Sequence, residues 1–216
     1  MYRCQHISIF VTTLAPVTTS TRARNPKGEG DRLRLDLLDA AADLLAETGD
    51  IVSLRAIAGR AGVSPTAVYR HFDDHLELLR HAVVHCWREF EQCLEVAAAS
   101  SDDPYASFRA AGIAYIAFAS EQPGKYQVLF SNKVDLGVDE GVGFPAFDHL
   151  VAMVAAVLEA NDDDRDPRFV AAQVHTWIHG MVDLTSRHPG GEWPDLIELL
   201  IELGVRLGLS APEDAS

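Results

Sequence analysis

Apolar side chains recur at steps of three and four along almost the whole chain, and alternating β-branched runs are scarce, so the pattern predicts helices and no sheet. A first helix is expected over Arg34–Gly49. After it, Leu54, Ile57, Ala58 and Ala61 stand at i, i+3, i+4 and i+7, the buried stripe of a short helix. Ser53 can cap that helix by accepting from an amide one turn on. Gly62 ends it, because glycine enters left-handed backbone geometry without a Cβ clash, and Val63 plugs the corner. Ser64 then caps a second helix whose first position is Pro65, where the missing amide costs nothing. That helix buries Val68 and Phe72 and turns Thr66, Ala67 and Arg70 outward, with Tyr69 and His71 on its flanks.

Two short helices about a glycine turn, with a polar face left free, make a helix-turn-helix over residues 53–72. A hydroxyl, a methyl and a guanidinium along one short helix suit the major groove, where every base pair presents its own pattern. Tyr69 and His71 would reach phosphates instead. The competing reading of the same residues is an αα-corner that merely packs a larger helical protein.

At these residues the chain resembles the TetR family of transcriptional regulators. The resemblance runs over about residues 32–80 and is carried by Arg34–Gly49, Ile57-Ala58, Ala61-Gly62-Val63-Ser64, Tyr69-Arg70-His71-Phe72 and Leu78-Leu79. It implies an all-α protein with a three-helix DNA-binding domain, a long connecting helix and a helical domain that binds an effector and dimerises. The residues then expected to face DNA are Arg34, Ser53, Arg55, Ser64, Pro65, Thr66, Ala67, Tyr69, Arg70, His71 and His75. His75 is a departure, since the family pattern places a phosphate-touching lysine there, and a neutral imidazole brings no full charge. Asp73 and Asp74, useful as helix caps, add repulsion toward DNA. The expected divisions are a poorly ordered extension at 1–30, the DNA-binding domain at 31–92, the effector and dimerisation domain at 93–210 and a tail at 211–216.

Composition adjusts this picture. A chain of 216 residues, 48% of them apolar, can bury a real core in one small and one larger domain. Its formal charge of −14 is unevenly spread, with +1 over residues 1–21, −1 over 22–80 and −14 over 81–216. The acidity therefore lies outside the helix-turn-helix, while Arg22, Arg24, Lys27, Arg32 and Arg34 gather at or before the first helix as phosphate or minor-groove contacts. An acidic body repels nonspecific DNA and favours a neutral or cationic ligand. Three cysteines, Cys4, Cys86 and Cys93, make no disulfide framework and point to a reducing cytoplasm, with Cys86 and Cys93 read as small core residues. No stretch approaches the roughly 18 apolar residues that span a membrane. The apolar run at residues 7–14 after Arg3 faintly resembles a signal peptide but is short, rich in threonine and broken by Pro16, so residues 1–30 read as an extension, with a targeting segment or a short strand as the alternatives.

Beyond the helix-turn-helix, helices are expected over Asp74–Ala99, from Pro104 to Glu121, shortly after Pro123, and over Phe144–Ala160, Arg168–Arg187 and Pro194–Gly208, with a glycine-rich mobile loop at 131–143. The last two helices are apolar on more than one side. Val170, Val174, Ile178 and Val182, with Leu196, Leu200, Leu203, Gly204 and Leu207, are accordingly expected to build a four-helix homodimer interface. Their alternative is coverage within one chain. Trp177-Ile178-His179-Gly180 also resembles the Trp-x-His-Gly signature of one class of TetR-family C-terminal domains.

An effector of unspecified identity is expected among Tyr115, Phe118, Tyr126, Phe130, Phe147, His175, Trp177 and Met181, large adaptable walls with a few polar handles. His175, His179 and Asp183 fall four apart on one helical face, a spacing that could hold a transition metal, but no cysteine or further histidine pairs with them and no metal or cofactor is assigned. Asp162, Asp164 and Asp166 lack the glycine turn and terminal glutamate of a calcium loop and read as a connector. No nucleophile elbow, phosphate loop, dinucleotide fingerprint or metalloprotease motif occurs. These features together predict a ligand-responsive repressor that, as a homodimer, binds a double-stranded palindromic operator. The rival from another class is a helical small-molecule carrier.

Overall fold

The computed structural model describes residues 29–130 and 144–211, and all regular structure among them is helical. In chain order these are α1 (Glu29–Thr48), α2 (Leu54–Arg60), α3 (Pro65–Val68), α4 (His75–Ala98), α5 (Pro104–Glu121), α6 (Pro123–Phe130), α7 (Phe144–Ala160), α8 (Pro167–Arg187) and α9 (Leu196–Leu207). The expected N-terminal extension up to residue 28, the loop at 131–143 and the tail from 212 lie outside the described residues. Helix α1 opens at Glu29, five residues earlier than the apolar pattern alone indicated, so the end of the expected extension belongs to the helix.

Side-chain caps set most of the helix starts. Ser53 accepts from the Ala56 amide, Asp74 from Glu77, Asp103 from Ala106, Asp166 from Arg168, and Asp195 from both Ile197 and Glu198. Pro65, Pro104 and Pro167 occupy first-turn positions where no amide is needed. The end of α2 is equally defined. Gly62 adopts φ +69°, its amide reaches the Gly59 carbonyl, and the Val63 amide closes back on Ala58 at 2.9 Å, so the carbonyls of the last turn are satisfied while the chain reverses.

Three apolar clusters hold the molecule. The head cluster joins Leu37, Ala41, Leu45, Val52, Ile57, Val68 and Phe72 to Leu78, Leu79 and Ala82 of α4, so the first half of that helix belongs to the head. Its second half supplies Phe90 and Leu94 to a body cluster with Tyr115, Phe118, Tyr126, Ile178 and Leu200. A further cluster packs α7 against α8 through Val154, Val157, Leu158, Val170 and Val174. Head and body thus share α4, and α6 also links them. Val128 packs on the head cluster, and a Cβ built on Gly124 would lie 2.7 Å from that of Ala46 in α1. Here glycine is required by close approach.

Candidate nucleic-acid interface and body site

The head presents its outer face through a very short element. Helix α3 closes after Val68, one turn in, and residues 69–71 continue as a turn in which the Arg70 amide bonds Ala67 and the His71 amide bonds Val68. The second helix expected to run to Phe72 is therefore shorter, yet Val68 and Phe72 are both buried as anticipated. Thr66, Tyr69 and Arg70 stand exposed around that turn, Tyr69 at 58%, with Ala67 half-buried beside them. Ser64 and Pro65 are exposed at its start, and the Ser64 hydroxyl makes no cap bond, in contrast to the expectation; the Ala67 amide bonds the Ser64 carbonyl. Arg55 on α2 is exposed as well. Ser53 keeps its capping role, its oxygen 3.2 Å from the Ala56 amide.

Three residues of the expected set have work inside the head. Arg34 is half-buried with its guanidinium 4.8 Å from the centre of the Phe72 ring, a cation–π contact that fixes α1 over the turn. His71 is half-buried near Gly30. His75 does not stand in for the absent lysine. Its Nε2 donates to the Val52 carbonyl at 2.6 Å, and facing a carbonyl that nitrogen must carry the proton, so the imidazole ties α4 to the segment between α1 and α2. Arg60 is likewise engaged, both terminal nitrogens donating to Glu47 at 2.8 and 3.0 Å.

The body holds a polar chain inside aromatic surroundings. The Tyr115 hydroxyl lies 3.0 Å from that of Tyr126, which lies 2.7 Å from His179 Nδ1. Burial raises Tyr115 and pushes Tyr126 up to about 12, so both stay protonated donors. Burial lowers His175 and His179 as well, and each imidazole feels a further charge, His179 for His175 and Asp183 for His179. Of the expected effector residues, Tyr115, Tyr126, Phe130, Phe147 and His175 come together here, with Phe130 4.7 Å from Tyr126 and Phe147 5.9 Å from His175 between ring centres. Phe118 reaches the same group only through Phe90, and Trp177 packs on the body cluster. Met181 is half-buried, and its carbonyl accepts from Thr185.

His179 was absent from the expected effector set, although its position four residues after His175 was the available signal. The metal spacing is put to other uses, since Asp183 pairs with Arg187 at 2.7 Å and His179 Nδ1 with Tyr126. Among the described residues the converging donors are instead Asp39, His85 and Glu89, where His85 Nε2 lies 2.8 Å from Asp39 and Lys125 donates to Glu89. The acidic connector also serves backbone geometry. Asp162 takes φ +52° after α7, Asp163 pairs with Arg165, and Asp166 caps α8.

The expected dimer set needs the largest correction. Val170, Val174, Ile178, Val182, Leu200 and Gly204 are buried against the chain's own helices, while Leu196, Leu203 and Leu207 are half-buried. The sequence showed apolar stripes but not which of them the same chain covers. Left uncovered on α8 are Phe169, 65% exposed, Gln173, Thr176 and Leu184, with Gly180 open beside them, and on α9 Ile197 and Ile201. Cys86 is fully buried and its thiol is pushed up to about 12, as fits a core residue.

A capped helix-turn-helix at one end and a helical body behind it, with all regular structure among the described residues helical, have the layout of a DNA-binding regulator. Residues 37–82 match the family described as bacterial regulatory proteins, tetR family, and residues 108–207 match the Tetracyclin repressor-like, C-terminal domain. The chain belongs to the TetR family of transcriptional regulators, whose members control transcription and are not enzymes. No curated relative matches it by sequence. Among solved structures, a protein of unknown function from Rhodococcus sp. RHA1 is 25% identical, with 82% of this chain and 93% of that one covered at a TM-score of 0.69. A TetR family transcription regulator from Marinobacter aquaeolei VT8 shares 16% identity over 85% and 97% of the two chains, TM-score 0.64. The fatty acid degradation regulator FadR from Bacillus halodurans shares 15% over 85% and 96%, TM-score 0.66. Among the described residues no helix is long and apolar enough to cross a membrane.

Proposed function

We propose that this DNA-binding regulator is a cytoplasmic homodimeric repressor that leaves a palindromic operator when a small molecule enters its body. The observation that carries the reading is the outward placement of Thr66, Tyr69 and Arg70 on a turn whose own amides are satisfied and whose apolar side is fully buried. Such a surface is rigid, polar and positively charged at its tip, and its groups are free for base edges and phosphates. Arg55 and Ser64 extend it toward the DNA backbone.

Dimerisation follows from the uncovered stripe on α8 and α9, which two copies can bury against each other about a twofold axis. Two heads about 34–36 Å apart would then read successive major-groove faces. A small molecule releases DNA only if it binds the mis-spaced arrangement of the heads more tightly than the DNA-competent one, and DNA must then weaken its binding by the same factor. The test is protection of a palindrome upstream of the gene by the purified protein, lost as salt rises. A carrier protein would bind small molecules and protect no such sequence.

A further inference from the structure

Where α1 packs on α4, three donor atoms from the two helices turn toward one point. His85 and Glu89 stand four apart on one face of α4, and Asp39 reaches them from α1. His85 Nε2 lies 2.8 Å from Asp39 Oδ1 and 3.8 Å from Glu89 Oε1, and the three donors fall within 4.8 Å of one another. Lys125 of α6 donates to the other oxygen of Glu89, Oε2, at 2.8 Å, which leaves Oε1 toward the imidazole. One proton does not serve this arrangement. A neutral imidazole carries a single hydrogen on Nε2, Asp39 takes it, and at 3.8 Å Glu89 receives no hydrogen bond from the ring. Asp43, one turn further along α1, adds a third carboxylate whose charge Lys125 and Cys86 both feel. Arg60 also feels Asp43 but is held by Glu47, so the neighbourhood stays negative despite the Lys125 ammonium.

We propose that Asp39, His85 and Glu89 bind a divalent first-row transition ion, with zinc the best fit, and that the bound ion locks the first helix of the head to the connecting helix. The imidazole nitrogen disfavours magnesium and calcium, which take oxygen ligands. One nitrogen and two carboxylate oxygens suit zinc with water in its fourth position. Donors held at about 2.0–2.2 Å from zinc stand about 3–3.5 Å apart, between the two distances found around His85, so side-chain rotation alone seats the ion. On binding, the proton now on Nε2 moves to Nδ1 and the ion takes the freed lone pair. Asp39 is 54% exposed, which leaves the approach open, whereas Cys86 beside the site is buried in the core and supplies no thiolate. The site stands by itself, and only its effect on operator binding rests on the regulator reading above.

The full chain, dialysed against a chelator, is to be titrated with zinc by calorimetry and with cobalt(II) by its visible absorption. Binding with a Kd of about 10 μM or tighter is expected, unchanged by magnesium at equal concentration. Asp39→Asn and His85→Asn are each expected to weaken it at least about tenfold, and Asp39 is exposed enough for its variant to fold even if the other does not. His175→Asn combined with His179→Asn is expected to bind zinc as the parent does. Zinc should also slow amide exchange along α1 and around His85 in the parent, and not in Asp39→Asn. Absence of zinc binding, unchanged binding in Asp39→Asn, or loss of binding on altering His175 and His179 overturns the site. Zinc binding without slower exchange overturns the lock. A gel shift on the same preparation separates the two readings. Zinc is expected to change operator affinity at least about threefold, by linkage through the head. Unaltered affinity overturns the ion's regulatory role, whereas a chain that binds zinc and gives no salt-sensitive protection of any palindrome keeps the site and sinks the regulator reading.

Discussion

At the scale of single residues, the head depends on backbone geometry in one place and on surface chemistry in two others. Gly62 at φ +69° has open space where a Cβ would go, so replacement by alanine meets no steric neighbour and costs only the left-handed strain, about 1–2 kcal/mol. An unfolding free energy from urea titration lowered by that amount, with secondary structure retained, is the expected result. Arg70 and Tyr69 act differently. Arg70→Ala should remove about 1–3 kcal/mol of discrimination and relax preference at particular operator positions, whereas Tyr69→Phe should weaken binding across all sequences; selection from a random duplex pool separates the outcomes. In the body, His175 and His179 titrate below 6.5 when folded and near 6.5 when unfolded. The unfolded chain therefore takes up more protons between those values, and stability falls as pH drops through 6.5 toward the folded values, then levels. A His175→Asn, His179→Asn double variant should lose less stability between pH 7.5 and 5 than the parent, measured by denaturation at each pH.

At the scale of elements, α6 joins α4 in touching both halves. Gly124 approaches the Ala46 main chain so closely that an added Cβ would lie 2.8 Å from the Ala46 carbonyl oxygen, and backbone cannot step aside as a flexible side chain can. Gly124→Ala should therefore push α6 off α1 at a cost of about 1–3 kcal/mol and change operator affinity without touching the DNA-facing residues; thermal unfolding and a gel shift read the two effects. This contact also marks what the sequence could and could not tell. The helix-turn-helix was legible because its signals are local: Ser53 caps within three residues, Gly62 reverses the chain, Pro65 starts the next turn. The short extent of α3 was not, since Phe72 is buried one turn on whether or not the helix persists to it. His75 was read from a family position, yet its ring serves a carbonyl 23 residues away in sequence, a partner no local pattern reveals. The Tyr115–Tyr126–His179 chain failed to appear for the same reason, being built from three helices.

At the scale of the whole molecule, the proposed dimer turns on which apolar surface the chain leaves for a second copy. A helix apolar on two sides states that both are covered, but only the packed chain shows which one it covers itself. Here α7 and the body cluster take Val170, Val174, Ile178 and Val182, leaving Phe169, Thr176 and Leu184 on α8 and Ile197 and Ile201 on α9 toward solvent. Isolated apolar side chains on a surface need no explanation, but these stand along adjacent helices near an open glycine. A charge placed within that stripe, such as Leu184→Glu or Ile201→Glu, would be buried without a partner in the pair while remaining solvated in the single chain. The fold should therefore survive and the pair should not. Sedimentation is expected to show the parent as a dimer and each variant as a monomer at low micromolar concentration, with unchanged helical circular dichroism. Because one head contacts only half of a palindrome, operator binding should drop steeply in the same variants, while Ile178→Ala, inside the chain's own core, should lower stability by about 2–5 kcal/mol and leave the dimer intact wherever the protein remains folded. A variant that stays dimeric with glutamate at both exposed positions would move the interface away from α8 and α9, and the spacing of the heads would have to be explained by another surface.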